Sequence, residues 1–277
     1  MRTLFFALML SMCTGLASAQ LAPDAPVAEA SPGGSAWPDG VEQVDATNPS
    51  ARRGEPEGEL FYVVGRPTTL FRDAGLTQPY ARLELREPVY LLHREMGCSE
   101  VRTRDGAHGY IPSMYLSNVW IRISKAKRTL YLYRGDELLK TIPADVGYNS
   151  FANKEKRAGV RDRDNWRTPE GRFFVVERKP DSEYYKAFLL NYPNVEHAER
   201  GLKSHLISRQ QYEAIVRAEE KSKTPPMNTA LGGYIEIHGH GTGARTNWTQ
   251  GCVALSDEVM DELWTVVAVG TPVLIEP

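Results

Sequence analysis

The chain has 277 residues, a formal net charge of −2 and 42% hydrophobic residues. Its 33 basic and 35 acidic side chains are balanced and form no dense Lys/Arg stripe, which argues against a nucleic-acid partner. The length allows one large core or two modest ones, and three cysteines are too few for a disulfide-stapled scaffold.

The N-terminus has the pattern of a secretory signal peptide. Arg2 precedes an apolar run over residues 4–10, and the Ala-Ser-Ala sequence at 17–19 matches a small-residue cleavage site. We therefore expect residues 1–19 to be removed on export to the periplasm or cell envelope. Lipidation of Cys13 is a minor alternative, because Met12 stands where a small residue is expected. The apolar run is too short to span a membrane, and no other span is predicted.

Residues 20–57 are rich in Ala, Pro, Gly, Ser and Asp without apolar periodicity, which predicts a flexible linker. Residues 58–118 alternate short apolar runs with turns, which predicts a small β-barrel. Within it, the Gly-Tyr-Ile-Pro sequence at 109–112 resembles a late strand of bacterial SH3-like domains. That resemblance implies a module that binds the cell wall or positions substrate. The alternative is a domain that only packs against the rest of the protein and has no ligand of its own.

Residues 119–277 predict a second domain, mainly β with two short helices. A β-meander is expected over 120–146, a strand after the Thr-Pro-Glu-Gly turn at 168–171, and a closing strand at 271–275. The polar stretch 148–167 predicts a long loop of the kind that covers a site. One helix begins after Ser208, with Gln211 as its capping-box partner. The other begins after Ser256, with an apolar stripe from Val259 to Val267 and a stop at Gly270.

Two cysteines remain after cleavage. A disulfide between Cys98 and Cys252 is one option in an oxidising compartment, but we expect Cys98 to be a buried thiol and Cys252 to be free and reactive. Cys252 follows Gly251, and His238 lies fourteen residues upstream, at the end of a strand whose other face carries isoleucines.

A thiol becomes a nucleophile when a base removes its proton, and histidine is well suited to that task near neutral pH. The pair Cys252 and His238 therefore predicts acyl transfer through a thioester. We expect the imidazole to lower the thiol pKa from its free value of about 8.5. The backbone N–H groups of Gly251 and Cys252 are the candidate oxyanion donors.

From about residue 120 onward, the sequence resembles the L,D-transpeptidase catalytic domain of the YkuD family. The matching motifs occur in order at 129–133 (Thr-Leu-Tyr-Leu-Tyr), 168–173 (Thr-Pro-Glu-Gly-Arg-Phe), 191–194 (Asn-Tyr-Pro-Asn), 231–233 (Leu-Gly-Gly), 237–239 (Ile-His-Gly) and 247–252 (Asn-Trp-Thr-Gln-Gly-Cys). The resemblance places Cys252 on the family nucleophile and His238 on the family base. It also implies that the Gly239 carbonyl orients the imidazole.

The resemblance implies acyl transfer on peptidoglycan stem peptides, without a cofactor. The thiolate attacks the carbonyl at the L-centre of the third stem residue, the terminal D-residue leaves, and an amine accepts the acyl group. The candidate substrate-binding residues are Arg245, Trp248, His240 and Tyr192. For each of the last three, packing or simple exposure is the alternative role.

Two positions depart from the common family pattern. Gln250 replaces the usual histidine, and Ala254 replaces an arginine that is a candidate carboxylate anchor, for which Arg245 in the loop is the candidate substitute. Both departures fit a subgroup with the pattern Asp-Trp-Thr-x-Gly-Cys-Ile-Ala-Leu. This sequence differs from that pattern at Asn247, which replaces the aspartate. That subgroup includes enzymes thought to cut lipoprotein from peptidoglycan. A hydrolase that uses water as acceptor, for example to release a wall-bound lipoprotein, is therefore the main alternative.

Two further classes of function are less favoured. Glu236, His238 and His240 alternate along a strand and, with Cys252, would suit a zinc hydrolase, but the intervening glycines weaken that geometry and no metal is expected. A non-catalytic wall-binding module that uses the SH3-like domain is the other.

Overall fold

The computed structural model describes residues 58–277. The predicted signal peptide (1–19) and linker (20–57) lie outside the described residues. Over residues 58–277 the chain is mainly β, with three helices.

Residues 59–117 form a seven-stranded antiparallel sheet with its own core. The strand order is β3-β2-β6-β5-β4-β1-β7. Inward side chains such as Val63, Leu70 and Ile111 are fully buried, as the alternating pattern requires. The strands are β1 (Glu59–Val63), β2 (Thr68–Phe71), β3 (Pro79–Leu83), β4 (Pro88–Arg94), β5 (Cys98–Thr103), β6 (His108–Pro112) and β7 (Leu116–Ser117).

An eight-stranded mixed sheet carries the second part of the chain, in the order β10-β9-β8-β17-β12-β13-β14-β16, and β11 pairs separately with β15. The predicted meander and closing strand are confirmed. The strands are β8 (Val119–Ser124), β9 (Thr129–Arg134), β10 (Glu137–Pro143), β11 (Val146–Gly147), β12 (Gly171–Ser182), β13 (Tyr185–Leu190), β14 (Glu236–His238), β15 (Asn247–Thr249), β16 (Val253–Ala254) and β17 (Pro272–Glu276).

Three helices rather than the predicted two accompany this sheet: α1 (Val195–Lys203), α2 (Arg209–Glu220) and α3 (Asp257–Trp264). The prediction missed α1, whose N-cap is Asn194; the Asn194 side chain accepts a hydrogen bond from the His197 N–H. The capping box of Ser208 and Gln211 at the start of α2 is confirmed. Helix α3 ends at Trp264, so Val267 lies beyond the helix in which it was predicted.

The sheet brings the two candidate catalytic residues to one place. Strand β14 pairs in parallel with β16, with Ile237 opposite Val253 and His238 opposite Ala254. Cys252 immediately precedes β16 and therefore lies beside β14. Ile235 and Ile237 are buried in the core, as predicted, which turns the intervening side chains toward the opposite face.

Both cysteines of the described part of the chain are free thiols; Cys98 is buried and Cys252 is partly exposed. The expected state of Cys98 is thus confirmed. Within residues 58–277, no helix is both long and apolar enough to cross a membrane.

Candidate active site

A cavity of about 860 Å³ opens beside the ends of β14 and β16. Four segments of the chain line it: the 148–167 loop, the turn between β12 and β13, the stretch that leads into β14, and the segment before β16. Its lining includes Lys154, Arg157, Trp166, Lys179, Asp181, Glu183, Tyr184, Tyr234, Glu236, His238, Trp248, Gln250 and Cys252. The loop predicted from the polar stretch 148–167 therefore does contribute to the wall of a cavity.

His238 and Cys252 both line this cavity. The His238 ring is 2% exposed, and its Nδ1 lies 2.7 Å from the Gly239 carbonyl oxygen. Because a carbonyl oxygen only accepts, Nδ1 carries the hydrogen and Nε2 is left as a proton acceptor. The Tyr184 ring lies 4.5 Å from the imidazole, centroid to centroid, and Trp248 meets it edge-on at 6.4 Å.

The Cys252 thiol is protonated in this setting. Its Sγ donates to the Tyr234 carbonyl at 3.5 Å. Although the residue is partly exposed at the cavity, desolvation of the sulfur by the surrounding walls raises the pKa of Cys252 to about 12; the Glu236 carboxylate adds to the rise, while the Glu236 backbone N–H and Lys154 oppose it. The expected lowering of the thiol pKa is therefore wrong for this structure, because desolvation outweighs the favourable contacts.

The imidazole is also neutral near pH 7. Burial lowers the pKa of His238, and the hydrogen bond to the Gly239 carbonyl only partly offsets this effect. A neutral thiol beside a neutral imidazole is suited to general-base catalysis, in which the proton leaves the sulfur as the sulfur attacks.

Gly251 and Gly239 are required by close backbone approach. Gly251 has φ +134°, and a Cβ there would lie 2.6 Å from the Arg167 carbonyl oxygen. A Cβ on Gly239 would lie 2.7 Å from the Tyr184 carbonyl oxygen. The Gly251 N–H donates to the Thr249 hydroxyl at 3.2 Å and is thus already engaged, which leaves the Cys252 N–H as the candidate oxyanion donor.

Of the four candidate substrate-binding residues, only Trp248 lines the cavity. Tyr192 is fully buried, and its hydroxyl donates to the Leu231 carbonyl at 2.9 Å, so it is a core residue. His240 has φ 57°, is exposed and has its ring 3.8 Å from the Asp257 carboxylate. Arg245 is exposed and reaches the Thr129 hydroxyl at 3.5 Å. None of these three residues lines the cavity: Tyr192 packs into the core, and His240 and Arg245 lie on the loop outside it.

Asp145, which the sequence analysis missed, organises the loop that carries Trp248. Its fully buried carboxylate accepts hydrogen bonds from the Thr242 N–H (2.7 Å), the Thr242 hydroxyl (2.9 Å), the Thr246 N–H (2.8 Å) and the Trp248 Nε1–H (2.9 Å). Burial by itself raises the pKa of Asp145, but these hydrogen bonds outweigh it and hold the pKa below its usual value. The only sequence signal was an acidic residue between two apolar ones.

The ligand set of the zinc alternative is not assembled. Glu236 forms an ion pair with Lys179 at 2.6 Å, and His240 does not line the cavity. Within the range 58–277, no group of three or more His, Cys, Asp or Glu side chains is arranged to hold a metal ion.

Residues 118–275 match the sequence model of the YkuD family, described as the L,D-transpeptidase catalytic domain. The chain belongs to this family. Members of the YkuD family act on peptidoglycan stem peptides of the cell wall, and the matched region contains β8–β16, β17 up to residue 275, all three helices and the whole cavity lining.

Solved structures of similar proteins share little sequence with this chain. Bd1075 of Bdellovibrio bacteriovorus is 23% identical over 58% of this chain and 48% of its own, with a TM-score of 0.38. An L,D-transpeptidase from Xylanimonas cellulosilytica is 16% identical over 58% of this chain and 61% of its own (TM-score 0.36). An L,D-transpeptidase from Mycobacterium smegmatis is 15% identical over 71% of this chain and 72% of its own (TM-score 0.37). The match thus spans less than two thirds of the first two proteins, and no curated protein matches the chain.

Proposed function

We propose that this YkuD-family protein is an L,D-transpeptidase in which Cys252 is the nucleophile and His238 the general base. The observation that carries the proposal is that both side chains line one cavity, with the His238 Nδ1 held by the Gly239 carbonyl and its Nε2 left to accept a proton. The acyl donor is a peptidoglycan stem peptide, attacked at the L-centre carbonyl of its third residue.

The neutral pair defines the order of proton transfers. The thiol proton of Cys252 moves to the His238 Nε2 as the sulfur attacks the carbonyl carbon, and the Cys252 N–H stabilises the resulting oxyanion. Collapse of this intermediate breaks the peptide bond to the terminal D-residue, whose nitrogen takes the proton from the imidazolium. The thioester is then attacked by an amine of a second stem, His238 accepts the amine proton, and that proton returns to the departing sulfur.

A hydrolase that acts on the same linkage is the second candidate. Gln250 and Ala254 fit the subgroup pattern that includes enzymes thought to release lipoprotein, and Ala254 is buried against Asp145 rather than exposed to a substrate. In this version water replaces the acceptor amine, and the substrate includes the bond to a wall-anchored lipoprotein.

The rest of the chain fits an exported enzyme. We propose a signal peptide (1–19), a linker (20–57), an SH3-like domain (58–118) and the catalytic domain (119–277), acting in the periplasm or cell envelope. The seven-stranded antiparallel sheet with its own core supports an SH3-like domain over this range. Its ligand would be the wall itself.

Incubation with purified sacculi, followed by mass analysis of the muropeptides, distinguishes the candidates. New 3→3 cross-linked dimers indicate transfer, whereas released tripeptide stems or freed lipoprotein indicate hydrolysis. The matched control is Cys252→Ala, which removes the sulfur with little change in volume. Products of either kind formed equally by this variant would refute the proposal.

A further inference from the structure

Lys154 is a buried cation without a carboxylate partner. Its side chain lies in the 148–167 loop, and the residue is only 4% exposed. Its Nζ has two long contacts, to the carbonyl oxygens of Asn165 and Gln250, each at 3.4 Å. No acidic side chain in the part of the chain from 58 to 277 forms an ion pair with it. Burying an ammonium group without a partner is costly, so this arrangement calls for an anion.

Two other lysines of this domain show the usual arrangement. Lys125 is fully buried, and its Nζ lies 2.5 Å from a Glu170 carboxylate oxygen. Lys179, in the same cavity as Lys154, lies 2.6 Å from Glu236. Each is neutralised within the protein, whereas Lys154 is not.

The position of Lys154 shows where the anion would be. Lys154 lines the cavity together with Cys252. Burial lowers the pKa of Lys154 to about 8, and negative charge on the Cys252 sulfur, present only once the thiol is deprotonated, opposes this shift. The ammonium is therefore mostly protonated at neutral pH. The other charged or titratable groups near it are Arg167, Arg157, Asp162 and the neutral, buried His197.

We propose that Lys154 is an anion-binding residue of the cavity and receives a carboxylate of the acyl-donor peptide beside Cys252. The identity of that peptide rests on the proposed function. A stem peptide carries carboxylates close to the scissile bond, and a fixed contact at Lys154 would hold the scissile carbonyl against the sulfur. Lys154 thus has the role for which Arg245 was considered, although Arg245 lies outside the cavity.

The first test compares alkylation of Cys252 by iodoacetate, an anion, and iodoacetamide, a neutral reagent of similar size. Both react with the same thiolate, so the ratio of their rates cancels any change in the thiol pKa. Loss of one positive charge close to the sulfur should lower that ratio roughly tenfold in Lys154→Met, while Lys154→Arg should retain it. The matched control is Lys156→Met, which removes an exposed lysine of the same loop and should leave the ratio unchanged.

A ratio that is equal in wild type and Lys154→Met would overturn the proposal. These measurements do not depend on any peptide substrate, so they decide on Lys154 even if the proposed function fails.

The second test identifies the carboxylate. Tetrapeptide donors amidated either at the terminal D-residue or at the D-centre of the third residue are compared with the free acid by acylation kinetics. Amidation of the carboxylate that Lys154 holds should lower kcat/KM roughly tenfold in wild type and have no effect in Lys154→Met. If neither amidation distinguishes the two proteins, Lys154 does not recognise a donor carboxylate.

Discussion

Replacement of Asp145 by asparagine should destabilise the loop between the base and the nucleophile. The carboxylate accepts four hydrogen bonds, two on each oxygen, and an amide keeps only one accepting oxygen. Two donors then face an amide NH₂ group. Hydrogen bonds to a charged group contribute about 1.5–3 kcal/mol each, so the free energy of unfolding should fall by roughly 3 kcal/mol or more.

Urea denaturation measures this difference, with Asp136→Asn as a control at an exposed turn. A loss below about 1 kcal/mol would refute the reasoning, because it would mean that the four contacts are not made. The pH dependence gives a further check. Since the folded-state pKa of Asp145 lies below the unfolded value of about 3.9, its stabilisation is present above that value and is lost as the pH falls through the folded pKa. The variant should lack this contribution to acid sensitivity.

Three further predictions concern the catalytic pair and its neighbour. His238→Ala should slow thioester formation at neutral pH by about 100-fold or more, measured by single-turnover mass spectrometry; an unchanged rate would remove the histidine from the mechanism. Iodoacetamide alkylation of wild-type Cys252 should continue to accelerate above pH 9, because its pKa is raised to about 12, and a plateau near pH 8.5 would contradict that shift. Gly251→Ala should lower the free energy of unfolding by at least about 1–2 kcal/mol, because alanine is strained at the positive φ, and it should also slow thioester formation. A melting temperature equal to that of the wild type would contradict the strain and crowding at this position.

Local patterns in the sequence predicted much of the fold. Alternation of apolar residues marked the strands of both sheets, and the Ser208–Gln211 capping box marked the start of α2 because its bonds lie within four residues. The order of family motifs predicted that His238 and Cys252 share a site, and β14 and β16 are indeed neighbours in the sheet. These successes concern short-range chemistry or a known family pattern.

The environment of the site depends on contacts that are distant in sequence, and these were not predictable. Lys154 contacts the Gln250 carbonyl, which is 96 residues away in the sequence, and Asp145 accepts a hydrogen bond from Trp248, which is 103 residues away. Nothing local distinguishes these charges from solvated ones. The raised thiol pKa has the same origin, since the desolvation of the Cys252 sulfur follows from the cavity walls that surround it.

The central claim is that the Cys252 sulfur becomes acylated by a stem peptide. Intact-mass spectrometry of the protein after incubation with a tetrapeptide stem tests it most directly. The proposal predicts an increase equal to the tripeptide acyl group in wild type and none in Cys252→Ala. The same adduct on the variant would show that a different side chain carries the chemistry.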